Sequence, residues 1–383
     1  MSSIMPCRYE TLQNVLIAFK KTGVQLVEFN GKNFLPADCP DDPGIFYFVP
    51  KLVRLFNVSL DSALDLFFYS MIVFSSILAI IGFFSLSKSW LFRIYASLSV
   101  LGFWFFVPRS AFDVYLVNAA IIFAVVPLAL YVFRAGYGKF LCIFLFFSGV
   151  LIGYANLIRS FSGLPVLLFL LLGLFFYFKG TWRQKGILFF VLLVGLSIPK
   201  LHFASLNQAK RDFLGSKNNA LVEGHHLWHN VYAGFGFLSN EFGIVSNDKA
   251  IAEKVYENHP DVVYPTKAYN AAARKDIFQL IKKHPSFVVR TLFAKLGVVF
   301  YFLLLFANLG LLAAFFYRKP WILELMFWVG IMVSSIPGFI AIPGRVYLLG
   351  MLAFAMVYGL VSIGYAIEKG VLLVLRSPAS RAK

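Results

Sequence analysis

Long apolar runs recur along the whole chain, FLLLGLFFYF and VVFYFLLLF among them, and they leave few folds open. A helix needs about twenty apolar residues to cross the ~30 Å hydrocarbon core of a bilayer. Runs of that kind at roughly 64–87, 90–108, 113–134, 139–157, 163–179, 186–204, 294–316, 320–338 and 346–367 predict about nine spans. Amides inside lipid must find partners within their own segment, so these runs read as helices. The fold class is therefore all-α integral membrane, a polytopic helical bundle with one large external helical loop. Composition agrees: 60% of residues are hydrophobic and only 14% charged, where a soluble domain carries about a quarter charged.

A net charge of +17 raises nucleic acid as a partner. The lysines and arginines sit mostly in short loops, however, where membrane topology places them. The partner they imply is a lipid bilayer and not nucleic acid. One set of loop ends holds Lys88, Arg134, Lys139, Lys179, Arg183, Lys185, Arg318 and Lys319, and the tail adds Lys369, Arg376, Arg381 and Lys383. The opposite turns hold single arginines, Arg109, Arg159 and Arg345. Positive residues favour the cytoplasm, which puts the N-terminal region and the 205–293 loop outside. An odd span count with an external N-terminus calls for a further helix upstream, or for LQNVLIAF to lie in the interface.

The chain divides into an external first loop with an amphipathic helix (1–60), a transmembrane bundle (61–204), an external loop domain (205–293), transmembrane helices (294–367) and a cytoplasmic tail (368–383). KLVRLFNVSLDSALDLF has the spacing of an amphipathic helix leading into the membrane. Within the large loop, NDKAIAEKVYENH and PTKAYNAAARKDIFQLIKKHP have helical spacing, with Asp248 and Thr266 as caps. After Pro285, SFVVRTLFAKLG reads as a helix resting on the membrane surface. Cys7, Cys39 and Cys142 show no metal spacing, and a Cys7–Cys39 bridge is one pairing open to them.

Three groups of residues carry candidate chemistry. Asp41 and Asp42 lie ahead of the first clear span on the outer face. A carboxylate there can accept the proton of an attacking hydroxyl or hold a divalent cation, and Asp-Pro-Gly is also ordinary turn chemistry. Arg109, Arg159 and Arg345 stand at the outer membrane edge, where a charge is costly unless paired or hydrated. They suit a phosphate by bidentate hydrogen bonding, or they snorkel to headgroups. Asp113, four residues after Arg109, offers that arginine a structural ion pair. In GHHLWHN, His225, His226 and His229 can ligate a metal, touch a phosphate or sugar while Trp228 stacks on a pyranose ring, or simply pack. No GxxxxGK[ST], GxSxG or GxGxxG signature stands in a fitting context, which argues against nucleotide hydrolysis and serine-hydrolase chemistry.

Several segments together resemble the GT-C superfamily of membrane glycosyltransferases, which includes protein mannosyltransferases and aminoarabinose transferases. DDPGIFYFVPKLVRLF looks like that family's first external loop, and GYANLIRSFSGLPVLL like its mid-chain arginine turn. KKHPSFVVRTLFAKL is similar to its surface helix, and IPGRVYLLGMLAFA to its late Arg-Tyr turn. The family's usual first transmembrane helix has no counterpart here. The resemblance implies a polyprenyl-phosphate-linked sugar donor, inverting transfer to a lipid, glycan or protein acceptor, and a site facing the exterior or periplasm of a bacterial plasma membrane. Asp42, or Asp41 one register away, is the implied base, with Asp113 as a second acidic residue. Arg159 and Arg345 are implied to face the lipid phosphate. The histidines and Trp228 are expected to wall the site, and a divalent cation at the acidic pair stays the one cofactor open to the chain. A transporter or flippase for a lipid-linked or anionic substrate, a polysaccharide polymerase or ligase, and a non-catalytic scaffold are the other classes open to such a chain.

Overall fold

The computed structural model of the protein describes residues 4–37, 42–106, 113–215, 227–264 and 266–376, with side chains to 369. Apart from one short hairpin, every regular element among the described residues is helical. Helix α1 (Pro6–Thr22) starts with proline in its first turn, where the missing N–H costs nothing, and stops at Gly23 in the left-handed region. It buries Arg8, Leu12, Val15 and Phe19, one stripe of a helix. Strand β1 (Val27–Phe29) pairs antiparallel with β2 (Phe34–Pro36), Val27 opposite Pro36.

Helix α2 (Ile45–Phe56) ends at Asn57, whose φ of 50° breaks the helical path. Ser59 then caps α3 (Leu60–Leu86) by accepting from the Ser62 N–H. The stretch expected as one amphipathic helix is thus two, because asparagine tolerates the left-handed conformation that the chain needs to turn there. Next come α4 (Trp90–Phe106), α5 (Leu116–Ala135), α6 (Lys139–Ile158) and α7 (Leu164–Leu172), which runs on as a π-helical turn over Gly173–Tyr177. Helix α8 (Trp182–Leu214) opens with a capping box between Thr181 and Gln184.

The large loop holds α9 (Leu227–Phe235), α10 (Asp248–Asn258) and α11 (Lys267–Lys283). Thr266 caps α11 as the sequence predicts, but α10 is capped by Asn247 and not by Asp248. The chain then forms α12 (Pro285–Ala307), α13 (Leu309–Phe316), α14 (Trp321–Ile340) and α15 (Arg345–Arg376). SFVVRTLFAKLG is not a separate surface helix. It is the start of α12, since its apolar spacing runs unbroken into VVFYFLLLF. The break falls instead at Asn308, again at a φ of 50°, so the apolar run expected at 294–316 is split between α12 and α13. Positions 204 and 294, the expected limits of the loop domain, fall within α8 and α12.

Among the described residues seven helices are long and apolar enough to cross a membrane: α3, α5, α6, α8, α12, α14 and α15. Helix α4, and α7 with its π-turn, are apolar but shorter. The molecule is a helical membrane protein. Helices α5 and α15 are buried nearly all round, while α3, α8 and α12 keep an apolar face outward, as lipid-facing helices do. At one end of the bundle Arg134, closing α5, donates to the Tyr177 hydroxyl at 3.1 Å. At the other end the Gly44 N–H donates to the Leu157 carbonyl at 2.7 Å, and the loop domain touches the end of α14.

Helices α6 and α8 pack closely along each other. It is set by backbone approach: a Cβ on Gly195 would lie 2.2 Å from the Phe146 carbonyl oxygen, and one on Gly149 2.5 Å from that of Leu192. Small residues permit this contact where lipid supplies no hydrophobic drive between helices. Gly195→Leu is expected to lower stability by at least ~1–3 kcal/mol through overpacking. The fall in thermal midpoint of the purified protein measures it, and an unchanged midpoint would show that the interface relaxes freely.

Candidate functional site

Four separate parts of the chain bring charged side chains together at the end of the bundle that holds Gly44. Asp42 precedes α2 and is completely buried. Its Oδ2 accepts from Arg8 of α1, Nε at 2.8 Å and Nη2 at 2.7 Å. Its Oδ1 accepts from Nη1 of Arg159, at the end of α6, at 3.2 Å. The other Arg8 arm, Nη1, donates to Asp113 Oδ2 at 2.6 Å, and Asp113 Oδ1 accepts the Val114 N–H at 2.7 Å. Arg8 is 5% exposed and Asp113 4%. The result is a chain of alternating charge, Asp113–Arg8–Asp42–Arg159, almost wholly out of solvent.

Aromatic rings complete the site. The Arg159 guanidinium stands over the Tyr115 ring at 4.5 Å and that of Arg8 at 5.8 Å, both within cation–π range. Tyr115 in turn meets Tyr347 edge to face at 5.3 Å, which ties the first turn of α15 to the cluster. Burial pushes the Asp113 carboxyl up from the usual carboxylate range, against the pull of Arg8, with Asp42 pushing the same way. Burial likewise raises the Tyr115 hydroxyl. One acid of the pair therefore keeps a proton more readily than a free side chain does.

Local backbone features hold this geometry. Gly44 packs against the end of α6, where a Cβ would come within 2.9 Å of the Ile158 nitrogen, so only glycine lets the Asp42 segment sit beside Arg159. Just past Arg159, Phe161 adopts a φ of 67°, a costly conformation for a bulky side chain. Asn156 offsets it by accepting the Gly163 N–H at 2.8 Å. Ser162, in the same turn, is buried with a hydroxyl that has no partner among the described residues.

Of the residues singled out in the sequence, Asp42, Asp113 and Arg159 meet here. Asp41, Arg109, His225 and His226 lie outside the described residues, and so does Cys39. Arg345 is the exposed first residue of α15, at the right end of the bundle and two positions before Tyr347. His229 and Trp228 belong to a different place. His229 Nδ1 lies 2.7 Å from the Tyr269 hydroxyl and Nε2 3.3 Å from Asp248, so the buried imidazole joins α9, α10 and α11. Packing is the role its contacts describe. Trp228 meets Phe278 at 5.7 Å and Arg274 at 5.6 Å, also within the loop domain.

Arg8 is the residue that sequence reasoning missed. It lies on α1, ahead of every expected span and outside every motif that the sequence offers. The available signal was the helical stripe Arg8, Leu12, Val15, Phe19, which sets one arginine among apolar residues. Among the described residues no three His, Cys, Asp or Glu side chains gather to hold a metal ion. No family model, curated protein or solved structure matches the chain.

Breaking a buried pair strands the charge that remains. Arg8→Gln leaves two carboxylates to share Arg159 and is expected to cost about 3–5 kcal/mol, read as a fall in thermal midpoint. Adding Asp113→Asn to Arg8→Gln should restore part of that loss, because one uncompensated charge is removed. A double variant as unstable as the sum of the singles would show that the two groups are not coupled.

Proposed function

We propose that the protein is an integral membrane glycosyltransferase, moving a sugar from a polyprenyl-phosphate-linked donor to a lipid, glycan or protein acceptor. The observation that carries this reading is the convergence of two carboxylates and two guanidiniums, from four parts of the chain, at one end of a membrane bundle. Such a transfer needs a base for the acceptor hydroxyl and cations for the departing phosphate, close together at the membrane edge. The resemblance to GT-C enzymes in the segments around Asp42, Arg159 and Arg345 points the same way.

In this reading Asp42 takes the proton of the acceptor hydroxyl as its oxygen attacks the anomeric carbon. The bond from that carbon to the phosphate oxygen breaks, and the phosphate leaves with the electron pair. Arg159 makes the longer of the two contacts to Asp42, 3.2 Å against 2.7 Å for Arg8. It is the guanidinium a donor phosphate takes over most readily, since phosphate offers a bidentate match. That exchange frees Oδ1 of Asp42 for the acceptor, while Arg8 keeps the carboxylate in place through Oδ2. We place the site on the exterior or periplasmic side of a bacterial plasma membrane, with all nine apolar helices crossing. The short basic loops at the opposite end then face the cytoplasm.

The test is sugar transfer from polyprenyl-phosphate donors in membranes carrying the Asp41→Asn, Asp42→Asn double variant, with the folded fraction measured in parallel. Removing a general base should slow transfer by about 10²–10⁴-fold in protein that remains folded. Normal transfer would sink the assignment. Movement of a lipid-linked substrate across liposomes without any covalent product would replace it with a flippase.

A further inference from the structure

We infer that α11 and the first turns of α12 form a docking surface for anionic lipid headgroups, by which the loop domain rests on the bilayer. Helix α11 packs one side into the loop core through Tyr269, Ala273 and Ile277. Its other side leaves Phe278 and Ile281 outward, 50% and 39% exposed. These are large apolar groups on the outer side of the helix, and Trp228, which meets one edge of Phe278, leaves half of that ring open. Arg274 lies on the same face, over the Phe278 ring at 5.5 Å, with exposed Lys275 and Lys282 flanking it and Lys283 at the end. Aromatic and aliphatic residues bordered by lysine and arginine are the pattern of a helix at a membrane interface.

Continuity with the lipid face of the bundle decides what covers this surface. A single residue, His284, separates α11 from α12. The exposed apolar stripe resumes at once with Val289 and Phe293, and continues through Phe300 and Leu304 down a helix long and apolar enough to span. The α11 end therefore lies near the level where that stripe enters lipid. Arg290, exposed on the first turns of α12, adds a further positive charge. Cations at this level attract phosphate and carboxylate headgroups, each contributing modestly within a Debye length. The surface role that the sequence suggests for 286–297 thus falls to α11. The consequence for the fold is direct: the domain that docks on the end of α14 through Gly234 is held on its other flank by lipid.

The experiment uses full-length protein in nanodiscs, with Cys7, Cys39 and Cys142 replaced by serine. Phe278→Cys or Ile281→Cys carries a nitroxide, and Glu253→Cys on the exposed side of α10 is the control. Accessibility to a water-soluble nickel relaxant is measured in zwitterionic discs and in discs with roughly one third anionic lipid. At 278 and 281 accessibility should be several-fold below that at 253, and lowest in the anionic discs. Lys282→Gln with Lys283→Gln should flatten the dependence on lipid charge. Labels at 278 and 281 as water-accessible as the control in both discs would overturn the proposal. Equal protection in both compositions would overturn the headgroup part of it.

Discussion

The buried ion-pair chain Asp113–Arg8–Asp42–Arg159 is the constraint on which this end of the molecule depends. Taking four charges out of water costs several kcal/mol each, and the cost is offset only when the pairs meet with good geometry. Here they do, at 2.6–3.2 Å. Because α1, the Asp42 segment, the head of α5 and the end of α6 each supply one member, none of the four can move without stranding a charge. The N-terminal helix α1 is thereby tied to this end of the membrane bundle.

In the proposed transfer, the arrangement that fixes the fold would also let Arg159 exchange its carboxylate partner for a phosphate. A guanidinium bound to carboxylate in one state can bind phosphate in another, since both ligands offer the same pair of oxygens. The turn after Arg159, with Phe161 at a φ of 67°, and the close seat of Gly44 fix the backbone beside that arginine. Tyr115 and Tyr347 link the cluster to the start of α15, where Arg345 sits exposed. The turn after Arg159 also buries the Ser162 hydroxyl, which has no partner among the described residues.

The loop domain is attached by different means. Its own core is apolar, with His229 and Tyr269 at the centre, and His259 pairs with Asp276 at 2.9 Å to join α10 and α11. It meets the bundle where Gly234 packs on the Ile340 and Ala341 carbonyls, beside Lys295, which donates to the carbonyls of Phe339 and Ala341. Lys295 thus satisfies the last carbonyls of α14, a buried cation used as a helix cap. Legibility of this region in the sequence was uneven. The helices and the Thr266 cap follow from periodicity, but the roles of His229 and Trp228 do not, because an imidazole has the same formula in a core as in a site.

The sequence by itself determined the class of molecule: apolar runs matched to bilayer thickness, a polar loop too long to be a turn, and arginines at one rim. It also marked Asp42, Asp113 and Arg159, since charges beside apolar runs are costly enough to need a reason. Only the tertiary structure decided that these three meet, that Arg8 joins them, and that His229 belongs to another core. The physical reason is the range of the interactions. Periodicity and transfer free energy act over neighbouring residues and are written into local order, whereas Arg8 and Asp113 are 105 positions apart in sequence and 2.6 Å apart in space. Such a contact is chosen by the packing of the whole bundle, and no local pattern encodes it.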